Sequence, residues 1–383
     1  MGKKVNSHPE FKYFISTGEG DAEADREWLS RPLPVSRQGE AETGGPSYAD
    51  FFGLLQRILG GPALPVLTLA LGGHEPKRVG IIAEKHGALY HPARIEIKGG
   101  GKQAVLCANA ALAPMARFMA RREAGVLEKL DAASSVKYLP GSYGFFEGEY
   151  ACLSGAILMT SWLTGFFEFH LASNPATGAL SLKIWDTVGG PYFADDDFLE
   201  GLYFQASRIL AYYYEPVSGE QVSPWHHAAG DFVVRPDSEG RPEVRLITAR
   251  GHDPLLGGED DDLPDPMDSG LYFFVNTILR MRLDRENGTG GLVFAPEFSV
   301  EKIVEGFFQG LSEREKERGA GSDFSSRLLK RLIEAGPEGL AEAANELLSA
   351  CDPASPDVGF LAPEVSDHSG AVYAALLMIE AVS

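Results

Sequence analysis

Apolar positions recur along this chain with more than one period. Phe51, Phe52, Leu54, Leu55, Ile58 and Leu59 form a helix-spaced stripe that opens after Ser47, a good N-cap, and closes at Gly60-Gly61. Residues 66–71 are a short apolar run ending at Gly72-Gly73, and periodicity leaves strand and short helix both open. Between Arg78 and Leu112 the spacing changes: 79–84, 93–97 and 103–108 predict three strands joined by Gly-bearing turns near Lys85-His86-Gly87 and at Gly99-Gly100-Gly101. Met115, Phe118, Met119, Ala124, Val126, Leu127 and Leu130 then predict a helix. Two apolar segments follow, 138–146 and 153–162, the second ending in small and polar residues as a strand entering a linker would.

Residues 198–214 predict a strongly apolar helix, followed by a polar cluster in Ser-Pro-Trp-His-His-Ala-Ala-Gly-Asp-Phe-Val-Val at 223–234. Val233-Val234, a polar turn, and residues 244–251 predict a short hairpin, which ends in a second polar cluster, Arg250-Gly251-His252-Asp253-Pro254. Helical spacing returns at 271–283, 300–311, 322–334, 337–348 and 370–382. The acidic stretch 258–268 reads as a solvated loop. Residues 1–45, rich in Gly, Glu and Pro, predict an extended arm.

Composition narrows the function classes. A net charge of -20, from 54 acidic against 34 basic residues, argues against nucleic acid or an anionic membrane as the main partner, because phosphate surfaces select basic protein surfaces. No apolar run reaches the roughly 20 residues that span a bilayer, and no apolar stretch follows the charged N-terminus, so a cytoplasmic chain is expected. The odd set Cys107, Cys152 and Cys351, without CxxC spacing, predicts reduced thiols with no disulfide framework and no thiolate zinc site.

The 223–234 segment is the leading site candidate, since polar groups at the mouth of a buried strand are where loops carry chemistry. Three chemistries fit it. His226 can accept a proton from a substrate hydroxyl while Asp231 orients it. Asp231, His227 and Asp253, with His226 or His252, offer a mixed nitrogen and oxygen metal site. The structural alternative has Asp231 capping a turn and a histidine bonded to a carbonyl. Glu168 and His170 are either ligand contacts or polar positions on an edge segment, while Tyr90-His91-Pro92 precedes the second strand and is a further candidate ligand contact. Arg280, Arg282, Asp284 and Arg285 read as the charged end of a helix with local ion pairs.

The order strand, strand, strand, helix, strand, strand, linker resembles the small lobe of protein kinases and aminoglycoside phosphotransferases, and the helix, polar loop and hairpin resemble their large lobe. The resemblance covers about residues 76–311 and lies in element order. It implies an α+β, two-lobed kinase-like fold with an arm and helix at 1–75, a small β-rich lobe at 76–163, and a mainly helical lobe at 164–383. It also implies a small-molecule ligand in the cleft between the lobes, with ATP and Mg²⁺ as cofactors. The motifs depart from the family. Asp231 falls on the metal-binding Asn, His226 on the catalytic Asp, Pro224 on the preceding His, and Thr248 on the metal-binding Asp of Asp-Phe-Gly. Cys107 stands where the phosphate-binding Lys would sit; Glu123 matches the helix Glu, and no G-x-G-x-x-G is present. Lys102 and Arg250 are the cations positioned to replace the missing charge. The implied function is a pseudokinase or atypical small-molecule phosphotransferase that binds a nucleotide or metabolite. The alternatives are a metal-dependent or His/Asp acid-base enzyme, and a non-catalytic interaction protein.

Overall fold

The structure is a computed structural model and describes residues 9–17, 20–34, 45–84, 86–87, 89–225, 227–256, 265–319 and 323–382. The chain is α+β, with one large mixed sheet, smaller strand pairs and helices. It divides into two compact units, Met1–Ala133 with Pro140–Thr164, and Ser134–Leu139 with Gly165–Ser383.

The first unit runs β1 (Glu10–Thr17), β2 (Gly20–Glu23), α1 (Arg26–Ser30), α2 (Tyr48–Leu59), α3 (Leu64–Ala70), β3 (Arg78–Ala83), β4 (His91–Gly99), β5 (Lys102–Ala111), α4 (Pro114–Ala132), β6 (Ser142–Tyr150) and β7 (Leu153–Ser161). Its strands form one sheet in the order β2-β1-β3-β4-β5-β7-β6, with β1 parallel to β3 and every other pairing antiparallel. Glu10–Thr17 and Gly20–Glu23 are therefore strands and not part of an extended arm. Phe11, Tyr13 and Ile15 carry the period-two signal, diluted by the polar residues around them. The ambiguous run at 66–71 is helical.

Ser47 and Asp50 close a capping box at the start of α2, satisfying amides the first turn leaves unpaired. The apolar stripe of α2 is buried on one sheet face, against Val79, Ile81, Ile95 and Ile97. On the opposite face the register aligns Ile82, Arg94, Cys107, Thr160 and Ser142 in one cross-strand row. Helix α4 lies over this second face, where Arg121 sits 4.6 Å from the Phe145 ring and pairs with Glu147. The sheet ends at β2, four residues long, and at β6, which bears Glu147 and Glu149 and a register irregularity between Ser142 and Gly144.

The second unit continues with β8 (Phe169–Ser173), β9 (Leu180–Ile184), β10 (Tyr192–Phe193), α5 (Asp196–Tyr212), β11 (Glu220–Ser223), β12 (Phe232–Pro236), β13 (Pro242–Leu246), β14 (Gly251–Pro254), α6 (Pro266–Met281), β15 (Leu283–Arg285), β16 (Leu292–Phe294), α7 (Ser299–Arg318), α8 (Phe324–Ser349), α9 (Pro356–Leu361) and α10 (Val365–Val382). Strands β8, β9 and β10 form one small sheet; β11 pairs β14, β12 pairs β13, and β15 pairs β16. Helices α5 and α7 cross closely because Gly306 and Gly310 face the α5 backbone; a Cβ on Gly306 would lie 2.1 Å from the Phe204 carbonyl oxygen. Helix α8 is two helical runs broken at Gly336-Pro337, where the proline has no N–H to continue the ladder. The acidic stretch expected as a loop lies mostly outside the described residues. Among those described, no single helix is long and apolar enough to cross a membrane.

Candidate functional site

The polar loop of the second unit is positioned by a hairpin inside a hairpin. The outer pair aligns Ser223 with Gly251, and the inner pair aligns Phe232 with Leu246. Residues 227–231 and 247–250, which lead from the inner strands toward the outer ones, are therefore neighbours. Buried Phe232, Val234, Val244 and Leu246 anchor the inner pair, so the residues just beyond it are held by the core.

Asp231 is the point on which the two connections meet. Its amide donates to Ala228 O at 3.3 Å, and Phe232 donates to the same carbonyl at 3.0 Å, closing a tight turn. The Ile247 amide donates to Asp231 O at 2.8 Å. The Asp231 carboxylate, 12% exposed, accepts a hydrogen bond from Thr248 Oγ1 at 3.2 Å and lies 3.6 Å from Arg250 Nη1. Three buried nitrogens of these segments, Trp225 Nε1, His227 Nδ1 and Arg250 Nε, have no hydrogen-bond partner among the described residues. Asp253 accepts from Ser223 Oγ at 2.7 Å across the outer pair. His252 is buried with Nε2 2.8 Å from Tyr213 O. His226 lies outside the described residues.

Asp231, Thr248 and Arg250 are thus brought together. The metal reading of Asp231, His227 and Asp253 meets a different arrangement. Among the described residues no three His, Cys, Asp or Glu side chains gather to hold an ion. Mg²⁺ is taken up through oxygen ligands that include one or two carboxylates. Here the carboxylate of Asp231 faces a guanidinium and Thr248 brings a hydroxyl, a donor set that does not fit the metal.

In the first unit Cys107 lies mid-way along β5 and Glu123 on α4, above the same sheet face. Glu123 is 2% exposed and accepts a hydrogen bond from Tyr90 OH at 2.8 Å. Burial, reinforced by the charges of Glu84 and Glu123 and opposed by a Thr160 hydrogen bond, pushes the Cys107 thiol up to about 12. It is therefore a neutral group at neutral pH. Arg94, directly across from Cys107, is held by Glu84 at 3.0 Å, by Asp21 at 2.7 Å and by Glu96. Lys102, expected as a replacement cation, is the exposed first residue of β5 beside Gly72. Five residues of strand separate it from Cys107, about 17 Å, and an odd separation puts the two side chains on opposite faces. Lys102 does not supply charge at Cys107.

No protein-family model matches the chain, and no curated protein matches it. Arg94 gained its place beside Cys107 through cross-strand register, and Tyr90 its place beside Glu123 through the packing of α4, neither of which a single sequence prints. His170, by its spacing an edge position or a ligand contact, and Asp284, by its spacing the charged end of a helix, are joined in the structure.

Proposed function

We propose that the chain is a divergent phosphotransferase-like protein of the pseudokinase kind, which binds a nucleotide or similar anionic metabolite and does not carry out metal-dependent phosphoryl transfer. The observation that carries this reading is the nested pairing of β11 with β14 around β12 and β13. It supports the reading because it gathers Asp231 and Thr248, the residues that fall on the family's metal-holding positions, with Arg250, a cation positioned to replace the missing charge. Phosphoryl transfer needs cations at the reacting phosphates. Arg250 brings one positive charge to Asp231, while Cys107 brings none to its own place. The buried, unpartnered nitrogens of Trp225, His227 and Arg250 are donor-bearing groups of the kind an anionic ligand engages.

Thermal denaturation with ATP, with and without Mg²⁺, tests the proposal. Expected is a rise in melting temperature with ATP that persists in EDTA, disappears in Arg250→Met, and comes with no ATP turnover. Absence of any shift at millimolar ATP removes nucleotide binding and leaves an interaction protein.

A further inference from the structure

The second unit holds a histidine-carboxylate pair that the reading above does not use. Asp284, on β15, is 2% exposed and is fixed by three N–H groups. His170 Nδ1 lies 3.0 Å from Oδ1, Leu171 N donates to Oδ2 at 2.6 Å, and Arg285 N donates to Oδ1 at 2.6 Å. With two backbone amides already donating, the carboxylate is an acceptor, so Nδ1 of His170 carries the proton. Among the described residues the opposite nitrogen, Nε2, has no hydrogen-bond partner, and the side chain is 12% exposed.

Two consecutive residues of the turn after β15 organise what surrounds it. Gly288, at φ +81°, packs against the imidazole; a Cβ there would lie 2.8 Å from Nε2, so only glycine fits this turn without pressing on that nitrogen. Asn287, at φ +56°, accepts a hydrogen bond through Oδ1 from Lys183 Nζ at 3.0 Å. Lys183 is the direct cross-strand partner of His170, so both side chains leave the same sheet face. Its ammonium sits 4.0 Å over the Trp185 ring and has donors to spare beyond Asn287. Of the nearby charges, Glu286 is engaged by the Ser173 amide and hydroxyl, and Arg285 reaches the Gly290 carbonyl. Glu168 lies on the same face, one alternation before His170.

We propose that His170 and Lys183, set by Asp284 and Asn287, form a binding site for the oxyanion of a small ligand, a phosphate or a carboxylate. The imidazole Nε2 and the ammonium both face the Asn287-Gly288 turn, and the ammonium supplies the positive charge that an oxyanion meets there. A core histidine that only ties two strands together needs neither a glycine beside Nε2 nor a tethered lysine opposite it.

Side-chain nitrogen NMR of the ¹⁵N-histidine-labelled full chain, titrated with sodium phosphate and separately with sodium acetate, decides the matter. Expected is a saturable movement of the His170 Nε2 resonance with at least one anion, weakened about tenfold or more in Lys183→Met. Asn287→Ala, which frees the lysine without removing its charge, should weaken it less. Response to phosphate alone assigns a phosphate ligand, and response to acetate assigns a carboxylate. An Nε2 signal that moves with neither anion, or equally in Lys183→Met, overturns the proposal. The readout is local to His170 and independent of any ATP effect at Arg250.

Discussion

Cys107 in the first unit and Asp231 in the second are polar positions that this chain treats oppositely. In the first unit the expected cation is a neutral thiol, and its glutamate partner is satisfied by a tyrosine hydroxyl. In the second unit a carboxylate is present, but a guanidinium lies beside it where a metal would be expected. One position holds a neutral thiol; the other holds a carboxylate beside a cationic guanidinium. A buried ionic group is costly without a partner, and Asp231 keeps one in Arg250 while Cys107, being neutral, needs none.

The sharpest break between the two would appear in thiol chemistry. With its thiol pushed up to about 12, Cys107 should alkylate with iodoacetamide at pH 8 about a thousandfold more slowly than exposed Cys152, as read by mass spectrometry. Comparable rates would mean that Cys107 is the activated group and the comparison is wrong. Next in size is Asp231→Ala, which strands Arg250 and should cost about 2 kcal/mol in chemical denaturation, with faster amide exchange in β12 and β13. A neutral outcome would make the pair a surface contact.

Acidification probes both units at once. Burial, then the neighbouring His86, lowers His91 in the first unit to about 4; burial, then Arg282, lowers His368 in the second to about 3. In each case the unfolded chain binds the proton more readily, so stability is complete above about pH 6.5 and is lost as pH falls toward the folded-state value. The slope reaches at most about 1.4 kcal/mol per pH unit for each histidine. Replacing His91 or His368 by Asn should flatten its share of that slope in pH-dependent urea denaturation. The smallest expected effect is Glu123→Gln, under about 1 kcal/mol, because the amide oxygen still accepts from Tyr90. A loss as large as that of Asp231→Ala would show that the Glu123 charge matters to the fold.

Much of the framework was legible in the sequence where a period ran long enough. The α2 stripe, the three strands β3 to β5, α4, α5 and the β12–β13 hairpin all followed from spacing and turn residues. Strand β1 hid in a polar leader, and β11 and β14, four residues each, are too short to show a period. Asp231 and Thr248 could be paired beforehand because they flank one hairpin. His170 and Asp284 could not, being 114 residues apart and joined by the packing of β15 on β8. Arg94 was invisible for another reason: its place opposite Cys107 depends on register, and a slip of one residue would have turned it to the other face.

The two borders of the seven-stranded sheet bear on how another protein would meet the first unit. A partner that adds a strand needs a long, flat, uncharged border to copy its hydrogen bonds from. Here one border is four residues of Gly-Asp-Ala-Glu, and the other is bent by its register irregularity and lined with glutamates. Such borders repel self-association through strand exchange. A protein partner of this unit would therefore engage side chains on its helices, and mutations that weaken such a complex should map to α3 or α4 and not to β2 or β6.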